Sequence, residues 1–205
     1  MAGREARFNY PIMLDLCGRL AVVVGAGPVG LRKVRRLLQA DARVRLVDPL
    51  LAAAPYPDPV VESLGREFDP ADLHGAYLVF ACTNSSQCNR QIVVEARQRG
   101  LLCNRVDRAE EGDFALPAVM QRGDLTLAVS TGGGSPALAA ELRDRLAEQV
   151  PESWVFSLAL LVKIRQKLLT VEIGDKYNQQ VLRRLMLEHL LPLAEQGKLK
   201  EIDKL

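Results

Sequence analysis

Between Leu20 and Gly25 the chain runs through a short apolar, mostly β-branched stretch, then turns as Gly25-Ala26-Gly27-Pro28-Val29-Gly30 into a segment of helical periodicity. A run of this kind suits a strand buried on both faces of a parallel sheet. Each glycine then has a steric meaning. Gly25 permits the tight turn, Gly27 lets a ligand approach the backbone with no Cβ in the way, and Gly30 lets the helix pack on the strand. Pro28 fits a first helical turn, whose free N–H groups carry a partial positive charge. From Val29 to Gln39, Val29, Val34, Leu37 and Leu38 share one side, while Arg32, Lys33, Arg35 and Arg36 fill much of the rest.

A second strand, Arg43 to Val47, ends at Asp48-Pro49 and completes a βαβ unit. The pattern repeats as a strand around Val60 to Glu62, a polar link Asp69 to Gly75, a strand Tyr77 to Ala81, a helix Ser86 to Arg99 and a strand Leu101 to Val106. Such alternation predicts an α/β, Rossmann-like, doubly wound parallel sheet over residues 1–107. After Asp107 the pattern changes. A charged loop, Arg108 to Asp113, precedes strands Phe114 to Met120 and Leu125 to Ser130, joined through Gln121-Arg122-Gly123-Asp124. Thr131 to Ser135 holds three glycines and leads into Pro136 and a helix to about Gln149, which makes 108–149 a small α+β module. Residues 150–205 read as a helical domain, with Val155, Leu158, Leu161, Val162, Val181, Leu182 and Leu185 spaced for one face. A break is expected at Gly174-Asp175, and a frayed end over Gln196 to Leu205.

Composition removes several function classes. The formal charge of the 205 residues is only +2, so no sequence-independent grip on nucleic acid is expected. Arg4, Glu5 and Arg7, followed by a stretch broken at Asn9, Pro11 and Asp15, form neither a signal peptide nor a membrane span, which predicts a cytoplasmic protein. Cys17, Cys82, Cys88 and Cys103 form no CxxC pair, and the only histidines are His74 and His189. No metal site is expected, and the cysteines read as reduced and structural.

The residues past the strand ends are the candidates for binding and chemistry. Asp48 stands 18 residues after Gly30, where a carboxylate accepts hydrogen bonds from an adenosine ribose and repels a 2′-phosphate. The expected cofactor is therefore NAD, held by Gly25, Gly27, Pro28, Val29, Gly30, Asp48 and Pro49, although Arg45 keeps NADP open. Asp48 reads otherwise as a residue that only opens a loop. Thr83 and Asn84 follow the Tyr77 to Ala81 strand, placed to touch the cofactor or to cap the next helix. Asp107 follows the next strand at the same edge, as a general base or as a solvated loop residue. Asn104 and Arg105 beside it are placed to orient or neutralise a substrate.

Ser130, Gly132, Gly133 and Ser135 offer hydroxyl and N–H groups before a helix, either as an anion cradle or as a capped helix start. Arg122, Arg143 and Arg145 are candidates for pairing with an acidic substrate. No Ser/His/Asp array, HExxH or Walker lysine motif stands out, which leaves hydride transfer.

Tyr10-Pro11-Ile12 with Leu14, the glycine turn with Arg32-Lys33, Ala81-Cys82-Thr83-Asn84 with Asn89, Cys103-Asn104-Arg105-Val106-Asp107, and Ala128 through Pro136 occur in one order. Together they resemble the precorrin-2 dehydrogenase and sirohydrochlorin ferrochelatase family, including the N-terminal module of siroheme synthase. The resemblance implies oxidation of precorrin-2, a tetrapyrrole, to sirohydrochlorin with NAD, and Asp107 as the catalytic carboxylate that removes a proton. It also implies a homodimer built through the module after Asp107, and in some members insertion of Fe²⁺ or Co²⁺ into the product. A NAD(H)-sensing dimeric protein without turnover would use the same glycine turn.

Overall fold

The computed structural model describes residues 8–169, 180–181 and 183–196. The charged N-terminal Arg4, Glu5 and Arg7, the expected break at Gly174-Asp175, Leu182 and the end beyond Gln196 lie outside the described residues. The chain divides into two compact units between Leu116 and Pro117.

In the first unit, β1 (Leu20–Val24), β2 (Arg43–Val47), β3 (Val61–Leu64), β4 (Leu78–Ala81) and β5 (Leu102–Arg105) form one parallel sheet in the order β3-β2-β1-β4-β5. The order reverses between β1 and β4, which makes a crevice at their carboxyl ends, where sheets of this class bind ligands. Helix α1 (Pro28–Leu38) connects β1 to β2, and α2 (Ser86–Gln98) connects β4 to β5. Alternation along the strands sends Ala21, Val23, Val44, Leu46 and Phe80 to one face, against Val34 and Leu37 of α1. Val22, Val24, Val79 and Cys103 go to the other, against Ile92, Val93 and Ala96 of α2. Both faces are therefore dry, as the β-branched runs predict.

Two expectations need correction here. The polar link after β3 contains a 3₁₀ turn, Pro70–Leu73, whose Leu73 is buried. The segment from Phe114 to Pro117 is not a strand. Pro117 lacks the N–H a ladder needs, so pairing begins only at Ala118. Phe114 instead meets the ring of Phe80 edge-on at 5.5 Å.

In the second unit, β6 (Ala118–Arg122) and β7 (Leu125–Val129) form an antiparallel hairpin. Arg122 pairs with Leu125, so the turn is the two residues Gly123-Asp124, shorter than the four expected. Gly123 has φ +54° at the first central position, where a type II′ turn needs glycine. Helix α3 (Pro136–Glu148) packs on both strands, and α4 (Ser153–Leu169) follows. A π-turn, Met186–Leu190, runs into the helix Leu191–Glu195, and buried Leu190 packs among Trp154, Leu160, Leu161, Leu185 and Leu193. Among the described residues, no helix is long and apolar enough to cross a membrane.

Candidate active site at the carboxyl edge of the sheet

Backbone pairing continues one residue past the strand ends, through Gly25 N–H to Val47, Asp48 N–H to Leu64, Cys82 N–H to Val24 and Val106 N–H to Ala81. The loops that leave β1, β2, β4 and β5 are therefore held side by side. At their centre Gly25 takes φ +107°, and a Cβ there would lie 2.5 Å from the Cys82 carbonyl oxygen and 2.9 Å from Thr83 N. Only glycine fits. A Cβ on Gly30 would lie 1.9 Å from the Gly25 oxygen, so this residue sets how closely α1 folds over its own turn. Gly27 differs from both. It has an ordinary φ of −68° and no heavy atom within 4 Å of its would-be Cβ.

Gly27 thus borders open space at the N-terminus of α1, which no side chain caps and whose first turn contains no acidic residue. An uncapped helix start beside a glycine with room above it suits a pyrophosphate. The residues present fit a dinucleotide on steric grounds as well as by pattern.

Asp48 opens a loop, the second of its two expected readings, and also ties back to the glycine turn. It caps the 3₁₀ turn Pro49–Ala52 by accepting the Leu50 N–H at 2.9 Å, and its other oxygen accepts the Ala26 N–H at 2.7 Å. Each carboxylate oxygen keeps acceptor capacity for a ribose. Arg45 is spent elsewhere. Its guanidinium donates to Glu62 at 2.8 Å and to the carbonyls of Asp72 and His74, which removes the reason to keep NADP open.

Thr83 does not cap α2; Ser85 does, accepting the Cys88 N–H. Thr83 is instead bound to Asn89, a fully buried residue on α2. The Asn89 Oδ1 accepts the Thr83 N–H at 3.0 Å and its hydroxyl at 2.7 Å, while Nδ2 donates to the Thr83 carbonyl at 3.0 Å. The second Nδ2 hydrogen goes to Asp107 Oδ1 at 2.8 Å.

Asp107 is held from its other side by Arg105, which is 1% exposed. Nε and Nη2 of Arg105 donate to the two carboxylate oxygens at 2.9 Å each. Arg105 also donates to Glu111 and to the Ser86 carbonyl and hydroxyl, so a buried cation is fully paired. The guanidinium holds Asp107 well below the usual carboxylate range; burial opposes this, and Asn89 and Ser86 reinforce it. Asp107 is accordingly an oriented anion at neutral pH.

The neighbours of Asp107 are engaged within the protein. Arg105 is buried, and its donors go to Asp107, Glu111 and Ser86. Asn104 is buried and donates to the Phe114 carbonyl at 2.9 Å, a contact that holds the chain beyond β5 in place. Asn89, Ser86 and Glu111 complete the network, yet only Asn89 was noticeable in the sequence, as part of a family signature.

Ser130, Gly132, Gly133 and Ser135 lie in the second unit, in a self-bonded loop. Ser130 Oγ accepts the Gly132 N–H, Thr131 and Ser135 bond each other, and Ser135 caps α3 by accepting the Leu138 N–H. Gly132 and Gly133 adopt left-handed conformations. The capped-start reading therefore accounts for the loop's own contacts. Arg122 donates to the Val150 carbonyl, Arg143 pairs with Asp144 and Arg145 with Glu141. All four cysteines are free. Cys82 and Cys103 are buried and Cys88 is half-buried, but Cys17 is exposed, unlike the buried role expected of it.

The glycine turn, the sheet order and the row of strand-end residues all point to a nicotinamide-dinucleotide protein, and the comparisons agree. Residues 12–118 match the family described as putative NAD(P)-binding, and 122–149 match the sirohaem biosynthesis protein central domain. The chain belongs to the precorrin-2 dehydrogenase and siroheme synthase family. Its similarity to siroheme synthase of Thioalkalivibrio sulfidiphilus is 32% identity over 95% of this chain and 41% of that protein. With siroheme synthase of Chromobacterium violaceum it shares 38% identity over 71% of this chain and 32% of that one. The chain thus spans well under half the length of these relatives. The solved structure of SirC, a precorrin-2 dehydrogenase, is 25% identical and superposes with a TM-score of 0.74, covering 96% of this chain and all of that one. The Rossmann-like fold, the family and a nicotinamide dinucleotide as cofactor follow as expected.

Proposed function

We propose that this chain oxidises precorrin-2 to sirohydrochlorin with NAD, as a step toward siroheme. The observation that carries the reading is a continuous row of contacts at the carboxyl edge. Asp48 binds Ala26, Gly25 abuts Thr83, Thr83 is bound to Asn89, and Asn89 binds Asp107. The row thus joins the dinucleotide turn to a fixed anion.

NAD⁺, when bound, supplies the hydride acceptor. The chain's own residues do the rest. The α1 N-terminus and Gly27 offer N–H groups and room to the phosphates, and Asp48 offers acceptors to the adenosine ribose. Removing hydride from the macrocycle leaves positive charge on it. A carboxylate already ionised and oriented lowers the energy of that charge without reorganising. The proton released as conjugation extends passes to solvent or to the substrate's own groups.

The finer readings belong to the same proposal. The cytoplasm suits four free thiols. Residues 108–149 act as the dimerisation and substrate module, followed by the helical domain 150–205. A homodimer has apolar surface available in Leu138, Leu142 and Leu146, exposed four residues apart on α3. Leu142→Glu should then shift the protein from dimer to monomer in sedimentation. Ferrochelation would use Asp107 as a transient oxygen ligand for Fe²⁺ or Co²⁺.

The deciding experiment mixes the protein, NAD⁺ and precorrin-2 anaerobically and follows NADH. Turnover that disappears in Asp107→Ala, with NAD still bound, is expected. Cofactor binding without NADH formation by the wild type would instead identify a NAD(H) sensor. Addition of Fe²⁺ after oxidation reads the second activity, against a protein-free control.

A further inference from the structure

Asn89 and Arg105 are the buried side chains that grip the Asp107 carboxylate, and their other hydrogen bonds also stay within the protein. Asn89 uses its amide on Thr83 and Asp107 alone. Arg105 approaches the carboxylate with two parallel donors, one to each oxygen. A bidentate guanidinium fixes the carboxylate plane, and a buried amide on one oxygen fixes its rotation. The surrounding charges are few. Glu111, in the 3₁₀ turn after β5, shares Arg105 and is flanked by Arg90 of α2 and Arg108, and Glu110 acts on Arg105 from farther away.

We propose that Asn89 and Arg105 are positioning residues, which present Asp107 to the substrate as an oriented anion. The inference rests on the reading of Asp107 as the catalytic carboxylate. It adds two residues to the reaction. The lowered proton affinity of Asp107 agrees with it. So does the geometry, since three donors already fill the lone-pair directions nearest the protein and leave only the open side for substrate.

The test is the pH profile of kcat/KM for NADH formation in wild type, Arg105→Lys and Asn89→Asp, with the Asp107 carboxyl followed by ¹³C NMR in each. In the wild type, neither activity nor the resonance should titrate near pH 4, where a free aspartate would. Lysine keeps the charge of Arg105 but loses the planar fork. Arg105→Lys should therefore move an acid limb and the NMR midpoint up by at least about one pH unit.

Asn89→Asp is isosteric and retains the acceptor for Thr83, but it faces Asp107 with a second carboxylate. Two carboxylates so close raise the pair's upper midpoint above the usual range. Below that midpoint they share a proton where the native N–H···O contact stands, and above it they repel. Activity in this variant should fall at least tenfold as pH rises, a limb the wild type lacks.

Variants with slower rates but wild-type profiles and midpoints would overturn the positioning roles, since general loosening lowers a rate without reshaping it. Should Arg105→Lys not fold, Asn89→Asp decides alone. Failure of the underlying reading shows separately, as a wild type that makes no NADH or an Asp107→Asn variant that makes it equally fast.

Discussion

The carboxylate of Asp48, at the end of β2, accepts the backbone N–H of Ala26 in the middle of the glycine turn at 2.7 Å. The residue expected to read the ribose thus also holds the turn that would receive the phosphates. Asp48→Ala removes this acceptor and the cap on Leu50 together. It should cost about 2–3 kcal/mol in urea unfolding and weaken NAD binding by calorimetry beyond the loss of a ribose contact. Asp48→Asn, which keeps one acceptor oxygen, should fall between.

Gly25 and Gly27 separate folding from binding. Gly25→Ala brings a Cβ to 2.5 Å from the Cys82 oxygen at φ +107°, and should destabilise by about 3 kcal/mol or more. Gly27→Ala meets nothing within 4 Å and should cost at most about 1 kcal/mol. Its NAD affinity should nevertheless drop at least tenfold, because the methyl group projects where phosphates would approach. Thermal melts and NAD titrations on the two variants check the contrast.

Acid stability should report the ion pair of Arg105 and Asp107. A carboxylate held below its unfolded value contributes stability at pH values above that unfolded value, about 3.9. The contribution is lost as pH falls toward the folded-state value. Asp107→Asn should therefore be less stable than the wild type at neutral pH, partly because Arg105 stays buried with one anion fewer. The gap should shrink as pH drops below about 4 in chemical unfolding. A constant gap across that window would show that the pair is not held as described.

Thiol labelling should follow burial. Desolvation pushes Cys82 up to about 11 and Cys103 up to about 12, with Asp113 adding to the shift at Cys103. An aromatic disulfide reagent at pH 8 should label exposed Cys17 first and Cys88 more slowly. Cys82 and Cys103 should react only on unfolding, as mass mapping of the labelled peptides would show.

Local patterns made much of this molecule legible in the sequence. The glycine turn is a short-range device, and buried parallel strands are written as continuous β-branched runs, so the sheet and the positions of Asp48 and Asp107 could be read directly. The environment of Asp107 could not. Asn89, Ser86 and Glu111 are polar residues on helices and turns, where such residues are usually solvated. That Asn89 and Arg105 are buried depends on α2 crossing between β4 and β5, which no local window reports. The internal partners of Arg105 and Asn104 are hidden from the sequence for the same reason: on a buried strand end, what a polar side chain satisfies depends on elements distant in the chain. Phe114 to Met120 is apolar enough to read as one strand, yet Pro117 has no N–H for a ladder and pairing begins at Ala118.

Four positions, Asp48, Gly25, Thr83 and Asp107, lie one or two residues past the ends of adjacent strands, in the order β2, β1, β4, β5. Neighbouring strands are about 4.8 Å apart, so the sheet works as a ruler whose graduations are backbone hydrogen bonds. Length added to the loops beyond these positions alters what sits at one graduation without moving the others. Different substrates can thereby be accommodated on an unchanged scale, and a slip of register in β4 or β5 would do more harm than any change of loop.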